Sequence, residues 1–144
     1  MSDYCLFCRI AAGEIPTHEV FRNDRILAFM DTGPIRPVHL QIIPTAHIEY
    51  FENIPEDIAC EIMLLGQKLA VAQKKVFGVE RVAFQYSGGD VAHAHAHLIP
   101  LVEKHDVTSR RYIEQEGITF KPMPNPGSNE LRTVARQIAD ALDR

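Results

Sequence analysis

Three histidines, His93, His95 and His97, occupy alternate positions in Ala92-His93-Ala94-His95-Ala96-His97-Leu98-Ile99-Pro100. Neutral imidazole is a nucleophile near neutral pH, with an ordinary pKa of about 6.5. It can accept a phosphoryl centre, hold it covalently and pass it to water. Flanking imidazoles, if protonated, would stabilise charge on the non-bridging oxygens. Alternation of period two running into an apolar run predicts a half-buried strand. Its imidazoles then share one face, and the alanines sit against a layer on the other. At a rise of about 3.3 Å per residue, His93 and His97 on a straight strand are roughly 13 Å apart. One metal would hardly reach all three, so the row divides its work, with one end on a different task from the middle. A surface row of the tag type would lie at a terminus without an apolar continuation.

A second group is Cys5-Leu6-Phe7-Cys8. Two thiolates at this spacing supply half of a tetrahedral zinc site. No second Cys-x-x-Cys exists in the chain, so histidines would have to complete it. The alternative is a pair of uncoupled thiols; a redox role lacks the βαβ pattern that normally accompanies it. Asp31 ends an Ala28-Phe29-Met30-Asp31 run, where it could hydrogen-bond a ribose or cap the Thr32-Gly33-Pro34 turn. Gly88 and Gly89 would let backbone N–H groups approach an anion, or would simply make a hairpin turn. Arg110 and Arg111 could meet a phosphate or form a solvated face.

These groups must be held by the rest of the chain. Glu19–Arg22 and 26–31 read as a hairpin across Asn23-Asp24, and 38–44 as the next strand. Asn53-Ile54-Pro55-Glu56 opens a helix, with Asn53 as a candidate cap. Ile58, Ile62, Leu65, Leu69, Ala72 and Val76 form its apolar stripe, and Gly78 stops it. Cys60 and Met63 are read as structural. Residues 81–86 form a further strand. After a Pro-rich linker at 122–127, Ser128-Asn129 caps a final helix over about 129–142. Five strands with hairpins and one long helix imply an α+β fold around a mainly antiparallel sheet.

The 144 residues suit one domain, with a core over about 4–103 and a C-terminal extension over 104–144. A net charge of −4 gives no global field for nucleic acid or an acidic membrane, so any phosphate site must be local. No apolar run approaches a membrane span of about 20 residues, and no secretory signal is apparent at the start. Three cysteines, an odd count, fit a reduced, cytoplasmic setting better than a disulfide framework.

The triad row resembles the signature of the histidine triad (HIT) family, His-φ-His-φ-His-φ-φ with φ apolar, met here by Ala94, Ala96, Leu98 and Ile99. The resemblance spans roughly residues 5 to 101. Val38-His39-Leu40-Gln41-Ile42-Ile43-Pro44-Thr45-Ala46-His47 is similar to the family's Gly-His-x-φ-φ-φ-Pro-x-x-His, with Val38 in place of the usual Gly or Thr. It implies a HIT-like fold that pairs as a homodimer through the long helix and the 81–86 strand. It implies hydrolysis or transfer of a nucleotidyl group, adenosine being the usual nucleoside, through a nucleotidyl-His95 intermediate. Catalytic neighbours would be His97, His39 and His93. Phe7, Ile10, Phe29, Asp31, Gln85, Gly88 and Gly89 would contact the nucleotide. A structural zinc would take Cys5, Cys8, His47 and His93. The loop at Gly88-Gly89-Asp90 is shorter than the family's and lacks its Gln, which concerns the leaving group. A non-catalytic nucleotide-binding module would not need His95. A purely structural zinc protein would leave His95 and His97 without a role.

Overall fold

A computed structural model describes residues 5–86, 91–103, 106–107 and 126–142. Five strands form one sheet in the order β1-β2-β3-β5-β4. They are β1 (Glu19–Arg22), β2 (Ile26–Met30), β3 (Leu40–Pro44), β4 (Arg81–Tyr86) and β5 (Ala96–Leu101). Every pairing is antiparallel, and the β1–β2 register slips between Glu19 and Phe21. The α+β fold expected from the sequence is the fold found.

Helices α2 (Glu56–Phe77) and α3 (Ser128–Leu142) cover one face of the sheet. Alternate residues Ala28, Met30, Leu40, Ile42, Ala96 and Leu98 meet Ile62, Leu65 and Leu69 of α2, with Leu131, Ala135 and Ile138 of α3 in the same core. Gly66 lets α2 approach β4 closely: a Cβ there would stand 2.6 Å from Phe84 Cε2. Gly78 ends α2 in the left-handed conformation at φ 69°, as the sequence predicts. The predicted Asn53 cap is not used. Residues Phe51–Asn53 form a 3₁₀ turn, and Pro55 stands at the cap position without a side-chain bond. Gly127 likewise precedes α3, which already begins at Ser128.

The opposite face carries α1 (Leu6–Ala11) at one end only. Phe7, Cys8 and Ile10 pack there against Leu27, Phe29 and Ile43. Cys60 and Met63, read as structural from the sequence, are exposed on α2 and pack into neither core. The Gly88-Gly89-Asp90 loop, Arg110 and Arg111 lie outside the described residues.

Candidate active site and metal cluster

The predicted triad strand is shorter than expected. Residues 91–93 bend, and β5 begins only at Ala96. The division of faces nevertheless holds, because Ala94 and Ala96 are in the helix-side core while the imidazoles turn to the other side. His93 reaches the cysteines, while His97 reaches His39.

His93 is fully buried beside the cysteines. Its Nε2–H donates to the Pro44 carbonyl at 3.0 Å, so in the neutral ring the Nδ1 lone pair faces the thiols. Nδ1 lies 3.4 Å from Cys5 Sγ and 3.6 Å from Cys8 Sγ, and His47 Nδ1 lies 3.3 Å from Cys8 Sγ. All four ligand atoms lie within 4.8 Å of one another. A tetrahedron with Zn–N and Zn–S bonds of about 2.0–2.3 Å has edges near these values. Cys5 caps α1, its Sγ accepting from Cys8 N at 3.5 Å, so a single helical turn converges both thiols. Ala94 N donates to Ile48 O at 2.6 Å, which brings the loop carrying His47 against the triad segment.

His95 Nδ1–H donates to the His93 carbonyl at 2.7 Å. Its ring packs 5.0 Å from Phe7 and 4.9 Å from His97, centroid to centroid. His39 and His97 are joined directly, Nε2 to Nδ1, at 2.9 Å. Ile35 N–H donates to His39 Nδ1 at 3.2 Å. The network therefore assigns His39 its proton on Nε2, donated to His97 Nδ1, which in the neutral His97 ring puts the proton on Nε2. Burial lowers the His39 pKa, with Asp31 opposing weakly. Burial first, then His39 and His95, lowers that of His97 to about 4. Both shifts favour the neutral imidazole, the form in which each ring carries one N–H donor.

Asp31 accepts from Gly33 N at 2.7 Å, the turn-cap contact, and from Gln41 Nε2 at 2.7 Å. Its Oδ2 lies 3.5 Å from His39 Nδ1. The sheet register sets Gln85, His97, Gln41 and Phe29 side by side across β4, β5, β3 and β2. Phe7, Ile10 and Phe29 are buried together beneath His95, with Phe7 and Phe29 rings 6.1 Å apart. Sequence reasoning missed Gln41 as the residue that orients Asp31. The signal was there: Gln41 is polar where the motif's strand asks for an apolar residue.

An imidazole backed by a carbonyl, a hydrogen-bonded histidine pair and an oriented carboxylate thus form one contiguous cluster. The family model described as HIT domain matches residues 12–104, and the chain belongs to that family. It is 32% identical over 103 residues to an uncharacterised HIT-like protein of Methanocaldococcus jannaschii, covering 69% of this chain and 80% of that protein. An adenosine 5′-monophosphoramidase of Candida albicans is 31% identical over 105 residues, covering 67% of this chain and 69% of the relative. A zinc-bound histidine triad protein of Mycobacterium smegmatis shares the fold, with a TM-score of 0.78 at 21% identity over 99% of this chain and 96% of that one.

Proposed function

We propose that the protein hydrolyses, or transfers, the nucleotidyl group of purine nucleoside phosphoramidates or nucleotidyl anhydrides. The observation that carries this reading is the His95 Nδ1–H bond to the His93 carbonyl, which in the neutral ring directs the Nε2 lone pair outward beside His97. Nε2 attacks phosphorus, and the P–N bond of a phosphoramidate breaks. The amine leaves with that electron pair and a proton from solvent. Water then attacks the phosphorus, and the N–P pair returns to Nε2. His97 Nε2–H donates to a non-bridging oxygen, and His39 holds His97 in the required tautomer. Asp31 accepts from ribose hydroxyls, and Phe7, Ile10 and Phe29 form the apolar wall for the base. Gln85, Gly88 and Gly89 complete the nucleotide contacts. His93 contributes its carbonyl, because both its ring nitrogens face the metal cluster and Pro44.

Cys5, Cys8, His47 and His93 fit zinc by donor type and spacing. A closed four-ligand zinc supplies structure rather than Lewis acidity. A zinc-bound histidine triad protein of the same fold is consistent with zinc as the metal.

A homodimer is part of the same proposal. Among the described residues β4 is a sheet edge, and the outer face of α2 exposes Met63, Leu64 and Val71. A partner covering both would remove an unpaired edge and an apolar patch.

The deciding experiment is rapid quenching with a labelled adenosine phosphoramidate followed by peptide mass spectrometry. A nucleotidyl group on His95 is expected. Turnover without any histidine adduct would overturn the mechanism, and nucleotide binding without turnover would favour a binding module.

A further inference from the structure

Gln73 interrupts the apolar face of α2 and is completely buried. Its Nε2 donates to two main-chain carbonyls, Val38 O at 2.6 Å and Leu98 O at 3.1 Å. Two acceptors fix the amide orientation, since a flip would face Oε1 toward both carbonyl oxygens. Oε1 itself has no hydrogen-bond partner among the described residues. A buried unpaired acceptor is costly, and Gln73 shares its core with Ile62, Leu65 and Leu69, where an apolar residue would be at home. A polar group retained at such a cost marks a position where local packing yields to another requirement.

The two carbonyls identify that requirement. Val38 directly precedes His39, and Leu98 directly follows His97. The β3–β5 ladder reaches only to the Leu40–Leu98 pair, so residues 38 and 39 lie beyond it. Val38 has φ 62°, the sole non-glycine residue with positive φ among those described. A β-branched residue there is strained and persists only when its surroundings impose it. Compared with the family's Gly, though not with its equally β-branched Thr, Val38 adds strain at this position. Gln73 bridges across the end of the ladder and ties the strained turn to β5.

We infer that Gln73 is a positioning residue: it holds the left-handed Val38 backbone against β5 so that His39 Nε2 meets His97 Nδ1. Its effect on turnover rests on the proposed function; its effect on the histidine pair does not.

The test compares the parent with Gln73→Leu, which keeps the bulk and removes both donors. Imidazole ¹⁵N and NH resonances report the His39–His97 bond directly. The expected result is a folded variant that binds adenosine monophosphate like the parent, has lost the protected His39 Nε2–H signal, and has kcat reduced roughly tenfold to a hundredfold with little change in KM. Unchanged imidazole signals in the folded variant would overturn the inference. If the parent turns over no nucleotide, the proposed function fails, while the imidazole signals still decide the role of Gln73. Should Gln73→Leu not fold, Gln73→Glu takes its place. Protonated, it has one O–H donor for two carbonyls, and an unperturbed His39–His97 signal would equally overturn the inference. Val38→Gly relieves the strain, so the same Gln73 substitution should perturb the pair less in that background. An equal perturbation in both backgrounds would count against the coupling.

Discussion

The His95 Nδ1–H bond to the His93 carbonyl, at 2.7 Å, couples the candidate nucleophile to a residue of the metal cluster. One backbone segment thus presents a side chain to the cluster and a carbonyl to the adjacent imidazole. His95→Gly should abolish nucleotidyl transfer by several orders of magnitude while adenosine monophosphate still binds. Steady-state kinetics and product titration check this. Turnover near the parent's would remove His95 as nucleophile.

The His39–His97 pair makes stability depend on pH. The His97 pKa falls from 6.5 to about 4 in the folded chain, chiefly through burial. Between these values the unfolded chain binds more protons, so stability rises with pH. The contribution is fully present above about 6.5 and is lost as pH falls toward 4, on the order of 3 kcal/mol from His97. The lowered His39 pKa acts in the same direction. Chemical denaturation across this range should show the slope, and His97→Gln should flatten it. Equal slopes in parent and variant would mean that His97 titrates normally.

Asp31 is held by Gly33 N and Gln41 Nε2, which leaves further lone pairs for a ribose. Asp31→Ala should weaken ribonucleotide binding by about 1.5–3 kcal/mol, the worth of a hydrogen bond to a charged group. It should also narrow discrimination against 2′-deoxy ligands, measurable by calorimetry. A parent that binds ribo and deoxy forms equally would reduce Asp31 to a turn cap.

Turn chemistry at Asn23-Asp24 was enough to place the β1–β2 hairpin, although β2 is buried on both faces, and the helical stripes placed α2 and α3, with Gly78 and the prolines punctuating the chain. Periodicity overextended β5. Ala-His alternation has the strand period, but hydrogen bonds from His93 N to Val91 O and from Ala94 N to Ile48 O bend the chain. Those partners are remote or irregular, so spacing cannot reveal them. α1 was also illegible as a helix; it has six residues, and its start is set by Cys5 Sγ rather than by a stripe. Cys5, Cys8, His47 and His93 were legible as donors because their types are rare and chemically specific. Gln73 was not, since its partners are carbonyls brought together only by the fold.

Gly66 is where α2 meets β4 most closely. In Gly66→Ala the new Cβ would lie 2.6 Å from Phe84 Cε2, so the helix or the ring must move. Overpacking of this kind costs about 1–3 kcal/mol, against a gain of about 1 kcal/mol in helix propensity. Thermal unfolding should therefore show a net loss. Placing Gly66→Ala in a Phe84→Leu background should remove most of it. A more stable Gly66→Ala in the parent background would show that the contact yields freely.

Metal removal should separate structure from chemistry. The cluster joins α1, which carries the pocket residues Phe7 and Ile10, to the segment that backs His95. Phe7 of α1 packs edge-on against the His93 ring, and the thiol–imidazole contacts add to this tie between α1 and the triad segment. A metal joining the four ligands would strengthen that connection. Protein purified without chelator should contain close to one zinc per chain by elemental analysis, an expectation from the one four-ligand cluster among the described residues. Chelation, or Cys5→Ser with Cys8→Ser, should lower the melting temperature. The surviving folded protein should lose less in kcat than in nucleotide affinity, because the pocket wall loosens while the His95–His97 contact within the triad segment remains. Metal-free protein with unchanged melting would remove the structural role, and zinc ligated by His95 and His97 would contradict the closed site.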